Sequence, residues 1–316
     1  MHLHPSPRRA IAAAIFKGQF HLFGGLGALN GTSKPDDVGD DLWRISEMGN
    51  WEKVHIEGLS PPGLRYPSMG SSPDDLFLFG GCGGDGHGNK VFNNEVWRFD
   101  GAWHKVEPSG SKCPHQRYLS AFAVFDDKLV AYGGAYQSPP PERQNTYFGD
   151  LWVLDIGTNR WTQVSNGENG PGPRYASGYV QSSNQLFILG GYNGEREVND
   201  LWVLDLMTMT WDQIDGETPL PAYCPALGDV DGALVLAAGR GHDAPDDWQD
   251  KTWVSKKNSG KWETLLTPTP PLRAKCGYAS DGNSLWVFGG ETPEGLTNEL
   301  WQFHDNEWTL QKSVDG

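Results

Sequence analysis

Three short stretches decide the fold of this chain: LFILGG (residues 186–191), DLWVLD (residues 200–205) and TWDQI (residues 210–214). The first is an apolar run that ends in two small residues, and such a run occurs six times: FHLFGG, LFLFGG, LVAYGG, LFILGG, LVLAAG and LWVFGG. The closing glycines lie at positions 25, 81, 134, 191, 239 and 290, with gaps of 56, 53, 57, 48 and 51 residues. A period near fifty residues indicates six repeats, each folding as one supersecondary unit.

Two tryptophans follow each glycine-ended run. They form two series: Trp43, Trp97, Trp152, Trp202, Trp253 and Trp301 in one, and Trp51, Trp103, Trp161, Trp211, Trp262 and Trp308 in the other. Together they account for twelve of the fourteen tryptophans, so each repeat is predicted to add a third and a fourth strand to the two around the glycines. Four short antiparallel strands cannot bury both faces alone, and stacking of blades with aromatic side chains between them solves this problem.

These motifs resemble the kelch-repeat family over residues 8–311. The resemblance implies an all-β, six-bladed kelch β-propeller with four antiparallel strands per blade. We expect a single propeller domain over residues 1–316, with blades at approximately 8–57, 58–110, 111–167, 168–217, 218–267 and 268–312. How the ring closes is not decided by the sequence.

The amino-acid composition limits the classes of binding partner that we expect. The formal charge of −15 argues against nucleic acid and anionic membranes, because no basic surface exists to replace their counterions. Four cysteines in 316 residues do not form a disulfide framework, so we expect a cytoplasmic protein. No apolar run is long enough for a membrane helix, and a closed propeller has no long free sheet edge, so we expect a monomer.

A small polar pattern precedes the innermost strand of several repeats. Its members are predicted to bind a ligand at the channel mouth: Arg65, Tyr66, Ser68, Arg117, Tyr118, Ser120, Arg174, Tyr175, Ser177, Tyr223, Arg273 and Cys276. The arginines lie fifteen or sixteen residues before the first glycine of each pair, and the same count reaches Arg8 or Arg9 in the first repeat. Guanidinium groups and hydroxyls suit an acidic peptide or a small anion. The resemblance to kelch-type substrate adaptors implies the same kind of ligand.

Two other interpretations stay open. The arginines could instead bond to carbonyls or to acidic residues of a neighbouring blade. A metal-assisted lyase or isomerase of a small polar metabolite is the alternative function, with His242, Asp243, Asp246 and Asp247 as weak metal candidates or Glu291 in a chemical role. The plant specifier proteins look similar in fold, but their Glu–Asp–His iron motif does not occur here. We predict no cofactor. The metal that these side chains could hold is a divalent ion.

Overall fold

Six four-stranded antiparallel sheets make up most of the chain in the computed structural model. The structure describes residues 4–27, 37–46, 49–84, 89–216, 218–219, 223–244 and 246–312. No helix occurs in these ranges, and therefore none that could cross a membrane. The predicted all-β propeller is confirmed, and we number the sheets as blades 1 to 6 in chain order.

The two inner strands of each blade form a tight hairpin that carries the most buried apolar residues. The innermost strands are β2 (Ala12–Phe16), β8 (Ser68–Ser71), β14 (Ala121–Phe125), β20 (Gly178–Ser182), β24 (Ala226–Val230) and β28 (Gly277–Ser280). The second strands are β3 (Gln19–Phe23), β9 (Leu76–Phe79), β15 (Lys128–Tyr132), β21 (Gln185–Leu189), β25 (Ala233–Ala237) and β29 (Leu285–Phe288).

The two outer strands carry the tryptophans. The third strands are β6 (Leu42–Ile45), β12 (Val96–Phe99), β18 (Leu151–Asp155), β22 (Leu201–Asp205), β26 (Trp253–Lys256) and β32 (Leu300–His304). The outermost strands are β7 (Trp51–Lys53), β13 (Trp103–Val106), β19 (Arg160–Ser165), β23 (Thr210–Ile214), β27 (Glu263–Thr264) and β33 (Glu307–Lys312).

Aromatic contacts join one blade to the next. In four of the six junctions, an aromatic residue of the second strand packs against a tryptophan of the following blade's outermost strand. The pairs and their ring-centroid distances are Phe23–Trp103 (5.8 Å), Phe79–Trp161 (5.5 Å), Tyr132–Trp211 (4.8 Å) and Phe288–Trp51 (5.1 Å). Large rings fill the space that widens outward between blades.

The ring closes between blade 6 and blade 1. Strand β2 packs against β28 as each innermost strand packs against its neighbour. The Gly290 amide donates to the Arg8 carbonyl at 2.8 Å, and the Ala10 amide donates to the Lys275 carbonyl at 2.8 Å. Every sheet is built from one continuous segment of chain, so closure needs no exchange of strands between blades.

One face of the ring, here called the upper face, carries the connections between second and third strands. Short strands line these connections: β1 (Arg8–Arg9), β4 (Leu26–Gly27), β5 (Asp37–Val38), β10 (Cys82–Gly84), β11 (Lys90–Phe92), β16 (Ala135–Gln137), β17 (Asn145–Tyr147), β30 (Glu291–Thr292) and β31 (Gly295–Leu296). The innermost strands begin at this face because alternate strands run in opposite directions. The upper mouth of the channel therefore brings the predicted pattern together.

Candidate functional site

The six repeats meet at the upper mouth in a common backbone register. One residue per blade pairs with the residue after the second small residue of the repeated run: Arg9–Leu26, Arg65–Cys82, Tyr118–Ala135, Tyr175–Tyr192, Tyr223–Arg240 and Ala274–Glu291. The next residue always has a left-handed backbone, with φ between 54° and 63°: Ala10, Tyr66, Leu119, Ala176, Cys224 and Lys275. Non-glycine residues seldom adopt this conformation, and its recurrence defines structurally equivalent positions.

This register corrects the predicted arginine pattern. Arg65 is equivalent to Tyr118 and Tyr175, whereas the place of Arg117 and Arg174 is taken in blade 2 by the buried Leu64. The reason is that Arg65 lies fifteen residues before the first glycine of its blade, whereas Arg117 and Arg174 lie sixteen residues before theirs. A sequence count that accepts both spacings treats them as one position. In blade 5 the residue before Tyr223, Ala222, lies outside the described residues.

Four arginines form a structural link inside their own blades. Each guanidinium bonds a carboxylate next to the third strand: Arg8–Asp41 at 2.6 Å, Arg117–Asp150 at 2.6 Å, Arg174–Asp200 at 2.7 Å and Arg273–Glu299 at 2.7 Å. Each also donates to the carbonyl of the first glycine of its pair, at 3.0 to 3.4 Å. The same carboxylates accept the indole N–H of Trp43, Trp152, Trp202 and Trp301. We call this arrangement the arginine latch.

The latch leaves these arginines unsuited to contact a ligand. Arg117 and Arg273 are 1% exposed and Arg174 is 3% exposed. The arginine and tryptophan bonds also lower the pKa of Asp41 and Asp200, against the opposing effect of burial. Our alternative interpretation, pairing with an acidic residue, describes the arginines, but the partner lies in the same blade. In each of these four blades, the acidic residue two positions before the third-strand tryptophan is the sequence signal that identifies the arginine's partner.

The predicted serines also bond to the backbone. Ser120 and Ser177 each donate to the carbonyl of the first glycine in their blade, at 3.2 and 2.8 Å. Ser68 donates to the Ser120 carbonyl of the next blade at 2.8 Å. These bonds stabilise the backbone of the ring, and all three serines line the channel below the mouth.

The predicted tyrosines form a continuous arc across blades 2 to 5. Successive ring centroids lie 5.9 Å apart for Tyr66–Tyr118, 5.9 Å for Tyr118–Tyr175 and 5.7 Å for Tyr175–Tyr223. Burial raises the pKa of all four hydroxyls, to about 12 for Tyr175. The hydroxyls are therefore neutral near pH 7 and can donate hydrogen bonds. We call these four residues the tyrosine arc.

Three cations from blades 1, 5 and 6 surround one carboxylate beside the arc. Glu291 lies 2.6 Å from Arg9, 2.8 Å from Arg240 and 2.7 Å from Lys275. Burial by itself would raise the pKa of Glu291, but the bonds and charges of these cations hold it below its usual range. Among the ion pairs formed by the described residues, these three positive charges share the one carboxylate of Glu291, within a chain whose formal net charge is −15. We call these four residues the cationic cluster.

Within the cationic cluster, Arg9 is one of the two first-repeat arginines that the sequence count reached, and Glu291 was named in the alternative function, whereas Arg240 and Lys275 were not predicted. Arg240 and Glu291 directly follow the small residues that end the runs of blades 5 and 6, which is the sequence signal for their place at the mouth. Arg65, in blade 2, has no carboxylate within ion-pair distance among the residues that the structure describes, and its backbone pairs with that of Cys82.

The predicted contact Cys276 lies beside the cluster but is buried. It lines the channel together with Cys224, and each is less than a tenth exposed. Burial raises the pKa of the Cys224 thiol to about 12 and that of Cys276 to about 11. Both thiols therefore stay protonated and have little nucleophilic character at neutral pH.

The weak metal candidates do not converge. His242 Nδ1 lies 2.7 Å from Asp243, and its Nε2 lies 3.1 Å from the Tyr175 hydroxyl. Asp246 and Asp247 are exposed on the same loop. Within the described ranges, no three side chains of the His, Cys, Asp or Glu type are grouped as a metal site. His242 instead stacks on Tyr192 at 4.0 Å and extends the aromatic surface behind the tyrosine arc.

A cavity of about 700 Å³ follows the axis of the ring below the mouth. Tyr66, Cys224 and Lys275 lie at its upper end, and Ser182 and Asp281 at its lower end. The Tyr278 hydroxyl of blade 6 accepts the backbone amide of Tyr179 in blade 4 at 3.1 Å, and both tyrosines line this cavity. The blades are thus also connected through the channel.

Comparison with known proteins agrees with this fold. Kelch domain-containing protein 1 of Mus musculus is 24% identical over 95% of this chain and 81% of its own length. Kelch domain-containing protein 10 of Homo sapiens is 27% identical over 60% of this chain, and the match spans 43% of that protein. The match to the flagellar outer arm dynein alpha chain of Chlamydomonas reinhardtii spans 54% of this chain and 4% of that protein.

The solved structure of YjhT has a TM-score of 0.74 to this chain at 16% identity and covers 98% of both chains, which supports the fold. Residues 83–267, more than half of the chain, match the KLHDC2/KLHL20/DRC7 Kelch-repeats domain. With the six glycine-ended runs, the paired tryptophans and the ring of sheets, this match shows that the chain belongs to the KLHDC2/KLHL20/DRC7 Kelch-repeats domain family.

Proposed function

We propose that this propeller binds an acidic peptide or a small anion at the upper mouth of its channel. Kelch domains are general protein-interaction modules, and this chain belongs to such a family. The observation that carries the proposal is the cationic cluster, in which Arg9, Arg240 and Lys275 surround the single carboxylate of Glu291. The sequence assigned ligand contacts to Arg117, Arg174 and Arg273, but we propose that these three cations contact the ligand instead.

Electrostatics favour a ligand with few charges. Each cation of the cluster is at least two-thirds buried, so its attraction to an anion is screened less than that of a surface charge. The net charge of −15 repels a long polyacid at a distance. A short segment with one or two carboxylates gains the local attraction and avoids most of this repulsion.

Replacing Lys275 with methionine tests the proposal. Lys275→Met keeps the length of the side chain, which is 12% exposed, and removes the charge 2.7 Å from Glu291. We expect binding of the acetyl-Asp-Asp-Gly-amide peptide to weaken by about 2 kcal/mol or more, as for other buried charge contacts. Isothermal titration calorimetry with the full chain measures the change, and acetyl-Asn-Asn-Gly-amide is the uncharged control peptide.

Lys105→Met is the matched control variant. Lys105 also lies 2.7 Å from a glutamate, Glu95, but on the outermost strand β13, far from the mouth in the blade order. It makes the same change in net charge, so we expect it to leave affinity almost unchanged. Equal loss in both variants, or equal binding of the acidic and uncharged peptides, would contradict anion capture at this mouth.

A further inference from the structure

The upper mouth has two chemically different sides. The tyrosine arc occupies blades 2 to 5, whereas the cationic cluster comes from blades 5, 6 and 1. At the shared backbone position, blades 3 to 5 have tyrosine, blade 6 has Ala274 and blade 1 has Arg9. The six-fold arrangement of the backbone is therefore not matched by six-fold side-chain chemistry.

The aromatic side is held in place from behind. Phe92 packs on Tyr118 at 5.3 Å, and Tyr147 packs on Tyr175 at 5.3 Å. These supports come from the short upper strands β11 and β17. Tyr66, Tyr118 and Tyr223 remain only partly buried, so part of each ring stays accessible. Packed aromatic rings with an open surface form a rigid apolar contact of low entropic cost.

The two sides are close to each other. The Tyr66 amide of the arc donates to the carbonyl of Ala10, the residue that follows Arg9 of the cationic cluster, at 2.8 Å. Tyr223 pairs through its backbone with Arg240 and contacts Tyr175 through its ring. A ligand that places its carboxylate at the cluster therefore has the tyrosine arc within reach of an adjacent group.

From this asymmetry we infer that the mouth selects anions that carry a flat ring next to the carboxylate, such as an acidic residue followed by an aromatic one. The inference rests on the proposed function and names its ligand class. The cationic cluster orients the carboxylate, and the neighbouring ring packs edge-on or offset against Tyr118 and Tyr66. An anion without a ring uses only one side of the mouth.

Three amidated dipeptides separate the two contributions: acetyl-Asp-Phe-amide, acetyl-Asp-Gly-amide and acetyl-Asn-Phe-amide. We expect acetyl-Asp-Phe-amide to bind the full chain about two- to tenfold more tightly than acetyl-Asp-Gly-amide, which is the range for one aromatic pair. Acetyl-Asn-Phe-amide should bind most weakly of the three. Calorimetric competition titrations measure the ratios.

Variants of Tyr118 show which side supplies the preference. Tyr118→Leu keeps an apolar side chain and should reduce the Phe-to-Gly affinity ratio toward one, while Tyr118→Phe should preserve it. A general loss of structure would weaken both acidic peptides alike and leave the ratio unchanged. A ratio of one in the native chain, with both acidic peptides bound, overturns this inference and leaves anion capture standing. If neither acidic peptide binds, both proposals fail.

Discussion

At the scale of single residues, Glu291 has the most unusual environment in the mouth. Its carboxylate is surrounded by Arg9, Arg240 and Lys275 at 2.6 to 2.8 Å, the same chemistry that an anionic ligand would seek. A buried carboxylate in this position is a counter-charge for folding and, under the proposed function, would compete with an anionic ligand for the three cations. Its substitution should separate these two roles.

Glu291→Gln should strengthen anion binding. Removing the negative charge leaves three cations without their carboxylate, so affinity for acetyl-Asp-Gly-amide should rise about tenfold, or about 1.4 kcal/mol. Thermal stability should fall at the same time, because like charges are then left together. Calorimetry and a melting curve measure both effects. Glu52→Gln, which removes an exposed charge beside Arg44, should change neither, and weaker anion binding in Glu291→Gln would contradict competition.

At the scale of the structural element, the arginine latch ties the start of a blade to its second and third strands. In blade 3, Arg117 reaches the Gly133 carbonyl and Asp150, and Asp150 in turn accepts the Trp152 indole N–H. A single substitution therefore removes bonds to two strands and leaves a carboxylate that is 15% exposed without its cation.

Arg117→Ala should destabilise the fold more than it weakens binding. Breaking a buried ion pair in this way costs about 3–5 kcal/mol, since the remaining charge has lost its partner. Arg65→Ala, at the mouth position of blade 2 and without an ion pair among the described residues, should cost less than about 1 kcal/mol. Urea unfolding of both variants measures the difference. Similar losses would show that the register of blade 2 does not set the roles of these arginines.

At the scale of the whole molecule, stability should depend on pH through a buried histidine. His21, in β3, is 3% exposed and contacts Phe16. Burial lowers its pKa from the usual 6.5, and Arg44 lowers it further, while the Gln19 carbonyl opposes this change. Between the unfolded and folded pKa values, the unfolded chain binds more protons at this position than the folded chain.

The free energy of unfolding should therefore fall as the pH drops below about 6.5, the pKa of unfolded histidine. His304 is exposed, and the Asn283 carbonyl and Asp305 raise its pKa, so it acts in the opposite direction. Urea unfolding of the native chain and of His21→Gln between pH 7.5 and pH 5 isolates the contribution of His21. The native chain should lose more stability over this range. Parallel curves would exclude His21 as the cause.

The repeated glycines show how much of the fold can be predicted from the sequence. Gly134 has φ of +95°, and a Cβ atom there would approach the Tyr118 carbonyl to 2.9 Å, so a small residue is required at this turn. Such local requirements are visible in the sequence as the same residue type at the same place in each repeat. The tryptophan series does the same for blade packing, because each blade must fill a similar gap. The repeats and their strands could therefore be predicted from periodicity, and the fold class from the family resemblance that the repeated motifs carry.

The residues of the proposed site could be predicted from the sequence only in part. Tyr66, Tyr118, Tyr175 and Tyr223 do meet at the mouth. Of the three cations in the proposed site, the arginine count reached Arg9 but not Arg240 or Lys275. Conversely, the most regular arginines in the sequence are the latch residues. Residues with regular spacing have a structural role that all blades share, whereas a binding site depends on residues that differ between blades.

By itself the sequence determined the repeat, the strand order and the aromatic packing, because these depend on local backbone geometry and on contacts that recur in every blade. Only the tertiary structure decided which arginines are paired internally, how blade 6 closes on blade 1, and which side chains share the mouth. Those outcomes depend on a one-residue difference in register and on contacts between residues as distant as Arg9 and Glu291. Such contacts exist only once the ring is closed.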